Sequence, residues 1–309
     1  MALHEQVLSV MARRAANGGP PPETDAPLEE RRAAFVGTWR EPGPEMHSVK
    51  NLSIAGLEAD IPVRIYQPNA SQGLPITIMF HGGGFVFGDV DSYDGYARRI
   101  ANGVGCVVVN VGYRRAPEHP FPAAPEDAYA AVVWAAKNSA TIGGDPTRLA
   151  VAGDSAGANL STVTAMMCRD RGGPSLKAQI LICPTVQPGF EPSNVPEGTP
   201  PIGKDWWWWQ YLQDESDPTN PYAAPLIAKN LSDLPPALII TAEYDELCEE
   251  GEAYAQRLSS AGIPVEIIRY DGMWHIFHMY PSYIDAASDA LETQIRTLRA
   301  AFDLDKRIL

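Results

Sequence analysis

Apolar residues in this chain come mostly in short unbroken runs. "PITIMF", "CVVVNVGY", "RLAVAG", "AQILICP", "PALIITAEYD" and "IPVEIIRYDG" each place several bulky aliphatic side chains in succession. A strand with one wet face alternates, so unbroken runs of this length describe strands buried on both faces. Segments of helical character separate them near 93–103, 123–138, 156–170 and 249–262, with a last one near 283–303. Two earlier runs, "HSVKNLSIA" and "DIPVRIYQP", do alternate and are joined by a short Gly-containing turn, the pattern of an antiparallel pair. Eight strands, the first two as a hairpin, predict an α/β fold with a mostly parallel sheet covered by helices on both faces.

Two regions stand outside this alternation. Leu3, Val7 and Met11 recur at helical spacing before "NGGPPP", and a second helix is expected from near Pro27 to about Trp39, with Asp25 as its cap. Between Gln187 and Pro235 no strand pattern appears; nine prolines accompany the run "KDWWWWQYL". A stretch of this length without strands inside a compact domain is typically a functional lid. The expected organisation is N-terminal cap helices over 1–45, a core over 46–186 and 220–309, and a cap insertion over 187–219.

Charge and composition narrow the partners. The 309 residues carry a formal net charge of −14, with basic residues scattered as singles and pairs. Nucleic acid and anionic lipid surfaces are therefore poor partners. No run of about 18 apolar residues offers a membrane span. Cys106, Cys168, Cys183 and Cys248 lie far apart with no CxxC pair, which argues against structural zinc and for a reducing compartment. The N-terminal arginines follow the apolar residues, the reverse of a secretory signal, so a cytoplasmic location is expected.

The chemistry lies at strand ends. In "GDSAG", Ser155 follows one apolar run and precedes a helix, the G-x-S-x-G pattern of a nucleophile on a sharp strand-to-helix turn. A capping serine in a glycine-rich turn would read the same way. "FHGGGFVFGD" weighs against that alternative, because consecutive glycines expose backbone N–H groups suited to an oxyanion. Gly82, Gly83 and Gly84, with Ala156 after the serine, are the expected donors. His81 reads as a residue that shapes the loop. A serine nucleophile needs a base and an orienting acid. Asp245 in "TAEYDELC" and His275 in "YDGMWHIFHM" follow later strands in the required order, with Glu243, Glu246 and His278 as rivals. Phe85, Phe87, Trp206, Trp209, Tyr211 and Ile276 are candidates to line a substrate pocket.

These motifs carry a resemblance. "HGGGF", "YRRAPEHPFPAA", "GDSAG", "NPYAAPL", "YDELCEEG" and "GMWHIF" follow in an order and spacing similar to those of bacterial hormone-sensitive-lipase-like carboxylesterases of the α/β-hydrolase superfamily. The resemblance implies Ser155 as nucleophile, His275 as base, Asp245 as orienter, an oxyanion hole from 82–84 with Ala156, and a helical cap. Arg115, Glu246, Cys248 and Ile276 depart from residues usual in the family, and none removes a catalytic group. The implied function is hydrolysis of short- to medium-chain or aryl esters by a monomer or homodimer, with no metal or cofactor. An amidase, lactonase or peptidase using the same residues, or a non-catalytic small-molecule receptor on this fold, are the alternatives.

Overall fold

The computed structural model describes residues 2–16, 26–38, 41–213 and 218–305. Eight strands form one sheet: β1 (Ser48–Ala55), β2 (Asp60–Gln67), β3 (Leu74–Phe80), β4 (Val107–Val111), β5 (Gly144–Asp154), β6 (Leu176–Ile182), β7 (Ala237–Tyr244) and β8 (Val265–Trp274). Their order across the sheet is β1-β2-β4-β3-β5-β6-β7-β8. β1 pairs antiparallel with β2, and β2 antiparallel with β4; every later pairing is parallel. The predicted sheet, with its opening hairpin, is thus the observed one. The sequence had suggested a shorter fifth strand, near 148–153; pairing with β3 extends it back to Gly144.

The unbroken apolar runs find their explanation in two-sided burial. Val107 and Val109 of β4 pack on one face with Ile76, Ile78, Leu149 and Val151. Val108, between them, packs on the other with Met79, Ala150, Ile180 and Leu238. The first face is covered by α4 (Ala123–Lys137) and α5 (Ala156–Asp170), and farther along by α7 (Cys248–Ser260). The second is covered by α3 (Asp94–Val104) and α8 (Asp285–Ala301). Each fully buried aliphatic side chain contributes about 1.5–3 kcal/mol, so both layers are needed to hold a sheet of this size.

The two regions outside the alternation pack at the edge where the strands end. α1 (Glu5–Ala16) lies against β8 and α8: His4 N–H donates to Gly272 O at 2.9 Å, and Val7 and Val10 are buried beside Met273 and Trp274. α2 (Leu28–Thr38) is anchored by Arg32, which donates to the carbonyls of Val86 and Ala116 and pairs with Glu118. Asp25 and Trp39, the expected limits of this helix, lie outside the described residues. Within the proline-rich stretch the described residues hold one α-helix, α6 (Lys204–Leu212), and no strand. No helix is long and apolar enough to cross a membrane among the described residues.

Candidate active site

The turn from β5 into α5 is built by glycine. A Cβ on Gly157 would fall 2.0 Å from the Phe80 carbonyl oxygen, and one on Gly153 would fall 2.4 Å from the Gly157 backbone. Neither clash can be relieved by a rotamer, because the obstacle is backbone. Between them Ser155 is held at φ +52°, ψ −119°, a conformation that costs an L-residue about 1–3 kcal/mol. Its N–H donates to Ile182 O at 2.8 Å, and its carbonyl accepts the N–H groups of Ala158 and Asn159. The strain lifts the side chain off the end of the sheet over the N-terminus of α5.

His275, just after β8, meets it there. His275 Nε2 lies 3.1 Å from Ser155 Oγ, and Nδ1 lies 2.8 Å from Asp245 Oδ2. A carboxylate only accepts, so Nδ1 carries the proton and Nε2 faces the serine as a lone pair. The second carboxylate oxygen accepts Leu247 N–H at 3.0 Å, which fixes the acid in turn. Burial opposes a charge on the imidazole, but the adjacent Asp245 carboxylate, with Asp154 and Glu246 beyond it, raises the His275 pKa above its ordinary value.

The rivals are engaged elsewhere. Glu243 accepts Gly272 N–H at 2.7 Å, and Glu246 accepts Ile202 N–H at 3.0 Å. His278 is buried with its ring edge-on to Tyr96 and Phe277, and burial drives its pKa down to about 3. It is a neutral core histidine. His81 is likewise buried, stacked on Tyr113 with ring centroids 4.2 Å apart, and points its Nδ1 at Gly82 O.

The glycine loop curls back on itself. Gly83, Gly84 and Phe85 all have positive φ, and Gly83 O accepts the N–H groups of Val86 and Phe87. This turns the N–H groups of Gly83 and Gly84 outward; with that of Ala156 they have no acceptor among the described residues. Gly82 departs from the expected set. Its N–H donates to Tyr93 Oη at 3.0 Å, and that hydroxyl donates to Asp154 Oδ2 at 2.8 Å. A committed donor cannot serve an oxyanion, so three donors remain of the four expected.

The expected pocket aromatics divide. Phe85 and Tyr211 stack face to face at 3.7 Å, with Trp208 against Phe85, and all three are buried. They fasten α6 to the glycine loop. Trp209 is 62% exposed and turned to solvent. Phe87 keeps an intermediate place, stacked on Phe35 and tilted against Trp206. Ile276, half-buried, adjoins His275. The residue that sequence reasoning missed is Trp207. A Cβ on Gly84 would fall 2.4 Å from its ring, so the indole lies directly on the donor loop. Four consecutive tryptophans give no phase, and α6 is rotated so that 207, 208 and 211 face inward.

Sequence reasoning also missed Cys183, which lies at the end of the apolar run "ILIC". It adopts φ +42°, and its Sγ, an Asp245 oxygen and a His275 nitrogen lie within 4.8 Å of one another. Burial, and then the Asp245 charge and hydrogen bond, push its thiol pKa up, so it stands as a protonated donor toward the carboxylate. A metal held by this trio would need a thiolate, which the surroundings disfavour.

Residues 77–279 match the model of a family described as having the alpha/beta hydrolase fold. The carboxylic ester hydrolase LipN of Mycobacterium tuberculosis is 41% identical over 250 residues, which are 76% of this chain and 66% of LipN, just under two thirds of that protein. The esterase LipI of the same organism is 40% identical over 286 residues, covering 89% of each chain. A hyperthermophilic esterase from the archaeon Pyrobaculum calidifontis superposes with a TM-score of 0.89 at 38% identity, covering 97% of this chain and 99% of that one.

Proposed function

The chain belongs to the α/β-hydrolase fold family, and from that premise we propose that it is a carboxylesterase working through an acyl-enzyme on Ser155. The observation that carries this reading is the hydrogen-bonded line Ser155–His275–Asp245 beside three unengaged N–H groups. His275 Nε2 takes the hydroxyl proton as Ser155 Oγ attacks the ester carbonyl, and Asp245 stabilises the imidazolium that forms. The N–H groups of Gly83, Gly84 and Ala156 receive the oxyanion; each such donor is worth about 2.7–4 kcal/mol. His275 then protonates the leaving alcohol, and a water molecule repeats the sequence on the acyl group. None of these steps calls for a metal or an organic cofactor.

α2, α6 and the loop before α6 act as a cap in this reading. Trp207 on Gly84, with Phe87 and Ile276, narrows the approach to Ser155. A restricted, aromatic approach favours short- to medium-chain acyl groups and aryl esters over long triglycerides. All four cysteines are free and buried, in keeping with a reducing cytoplasm.

Hydrolysis of p-nitrophenyl esters from acetyl to dodecanoyl, with Ser155→Ala beside the wild type, tests the reading. Activity should peak at short chains, and the variant should lose about 10⁴–10⁶ in kcat. A loss of only a few-fold would mean that Ser155 is not the nucleophile.

A further inference from the structure

The Asp245 side chain is fully buried, at 0% exposure. An ionised carboxylate offers about four acceptor sites. Two are filled: Oδ2 takes the His275 Nδ1 proton at 2.8 Å, and Oδ1 takes Leu247 N–H at 3.0 Å. A buried anion with acceptor sites left over calls for a further donor beside it. The side chain standing there is Cys183, 1% exposed, whose Sγ lies within 4.8 Å of both an Asp245 oxygen and a His275 nitrogen.

Backbone and protonation state both single out this thiol. Cys183 directly follows β6 at φ +42°, a conformation that strains any residue with a Cβ and that glycine would adopt freely. Its N–H donates to Ile240 O at 2.7 Å, and the preceding carbonyl, Ile182 O, receives Ser155 N–H at 2.8 Å. The backbone here serves the sheet and the serine turn, so the strain is carried for the sake of a side chain. Burial first, then the Asp245 charge and the hydrogen bond to it, push the Cys183 pKa up and keep the S–H in place. Toward a carboxylate an S–H can only donate, and it is a weaker donor than an O–H. The other titratable groups around this point are Asp154 on the β5–α5 turn, Glu246 beside Asp245, Cys248 and Glu250 in α7, and His278 after β8. Cys248 turns its S–H to Glu252 at 3.6 Å, and Glu250 receives Val186 N–H at 3.2 Å.

We propose that Cys183 is a positioning residue for the base: its S–H shares the Asp245 negative charge and so limits how tightly the carboxylate holds a second proton on His275. A donor to the carboxylate stabilises the anion whether or not the ring is charged, which leaves less of its attraction for the imidazolium. Without the thiol, Asp245 would bind the imidazolium more strongly, and His275 would stay charged, and useless as a base, to a higher pH. The consequence for turnover rests on the esterase reading; the hold on the proton is a property of the folded line of side chains.

Titration of the His275 ring by NMR from pH 5 to pH 9, in the full chain with no ester present, tests this; loss of its resonances in His275→Gln identifies them. Cys183→Ala should raise the midpoint by about 0.5 pH unit, a threefold change in proton affinity. Cys183→Ser restores a donor, and a stronger one, and should return the midpoint to the wild-type value or below it. A midpoint unmoved or lowered by Cys183→Ala would overturn the proposal. So would one that Cys183→Ser raises as well, because altered packing alone would do that. Should Cys183→Ala fail to fold by circular dichroism, Cys183→Ser decides alone, and only a midpoint below that of the wild type upholds the proposal. Asp154 and Glu250, which burial pushes up to about 6 and about 8, titrate in the same range but are common to all three proteins. With p-nitrophenyl acetate, the inflection of kcat/KM should move with the NMR midpoint. A moved midpoint without any turnover would count against the esterase reading and leave the role of Cys183 standing.

Discussion

Asp154, one residue before the candidate nucleophile, titrates abnormally, and this has a measurable cost. Burial lifts its pKa from an ordinary 3.8 to about 6, against the opposing effects of the Tyr93 hydrogen bond and the His275 charge. A folded pKa above the unfolded one means that the native state holds the proton more tightly. The protein is therefore more stable below pH 3.8 with respect to this group, and that advantage is lost as pH rises through about 6. At about 1.4 kcal/mol per pH unit, the whole change is about 3 kcal/mol, a little under half of it falling between pH 5 and pH 7. Asp154→Asn has no charge to bury, while its amide oxygen still accepts the Tyr93 hydroxyl. Urea unfolding of both proteins at pH 4, 5, 6 and 7 should show the variant gaining on the wild type across the series, by about 2 kcal/mol from end to end. A difference that stays flat would refute the argument, because it would mean that Asp154 is already ionised in the folded protein at pH 4.

Three other expectations follow from the same geometry. Since Asp245 raises the His275 pKa and the base must be neutral, kcat/KM should climb with pH through an inflection above 6.5. Asp245→Asn should move that inflection down and lower kcat by about 10⁴, and an unmoved inflection would count against His275. The Tyr211 hydroxyl is buried without a partner among the described residues, so Tyr211→Phe should raise stability by about 1 kcal/mol, whereas Tyr211→Ala, which empties the stack on Phe85, should cost about 3–5 kcal/mol. Thermal denaturation distinguishes the two, and a destabilised Phe variant would mean that the hydroxyl has a donor or acceptor after all. Gly157→Ala should cost more than about 4 kcal/mol, because its methyl would fall 2.0 Å from Phe80 O; soluble, active protein from this variant would show that the turn has room to open.

What was legible in the sequence is what local sterics and burial dictate. Val107–Val111 could be read as a two-faced strand because no alternation survives when both sides are dry. The glycines at 153 and 157 could be read as a sharp turn because the atoms that exclude a Cβ lie in the turn itself or on the strand beside it. What escaped was set by residues far apart in the chain. Nothing near Gly82 shows that its N–H is spent on Tyr93, whose hydroxyl is in turn held by an aspartate 61 residues later. Nothing near Cys183 shows that Asp245 stands beside it.

The tryptophan run makes the same point from the other side. Within α6, every phase places an indole inward, so the pattern of the helix is silent about which one. The choice is made by Phe85: at φ +63° it projects from the glycine loop into the stack with Trp208 and Tyr211, and that stack turns Trp207 onto Gly84. The strained loop that presents the N–H groups therefore also orients the helix above them. A substitution at Phe85 would disturb both donor geometry and cap packing.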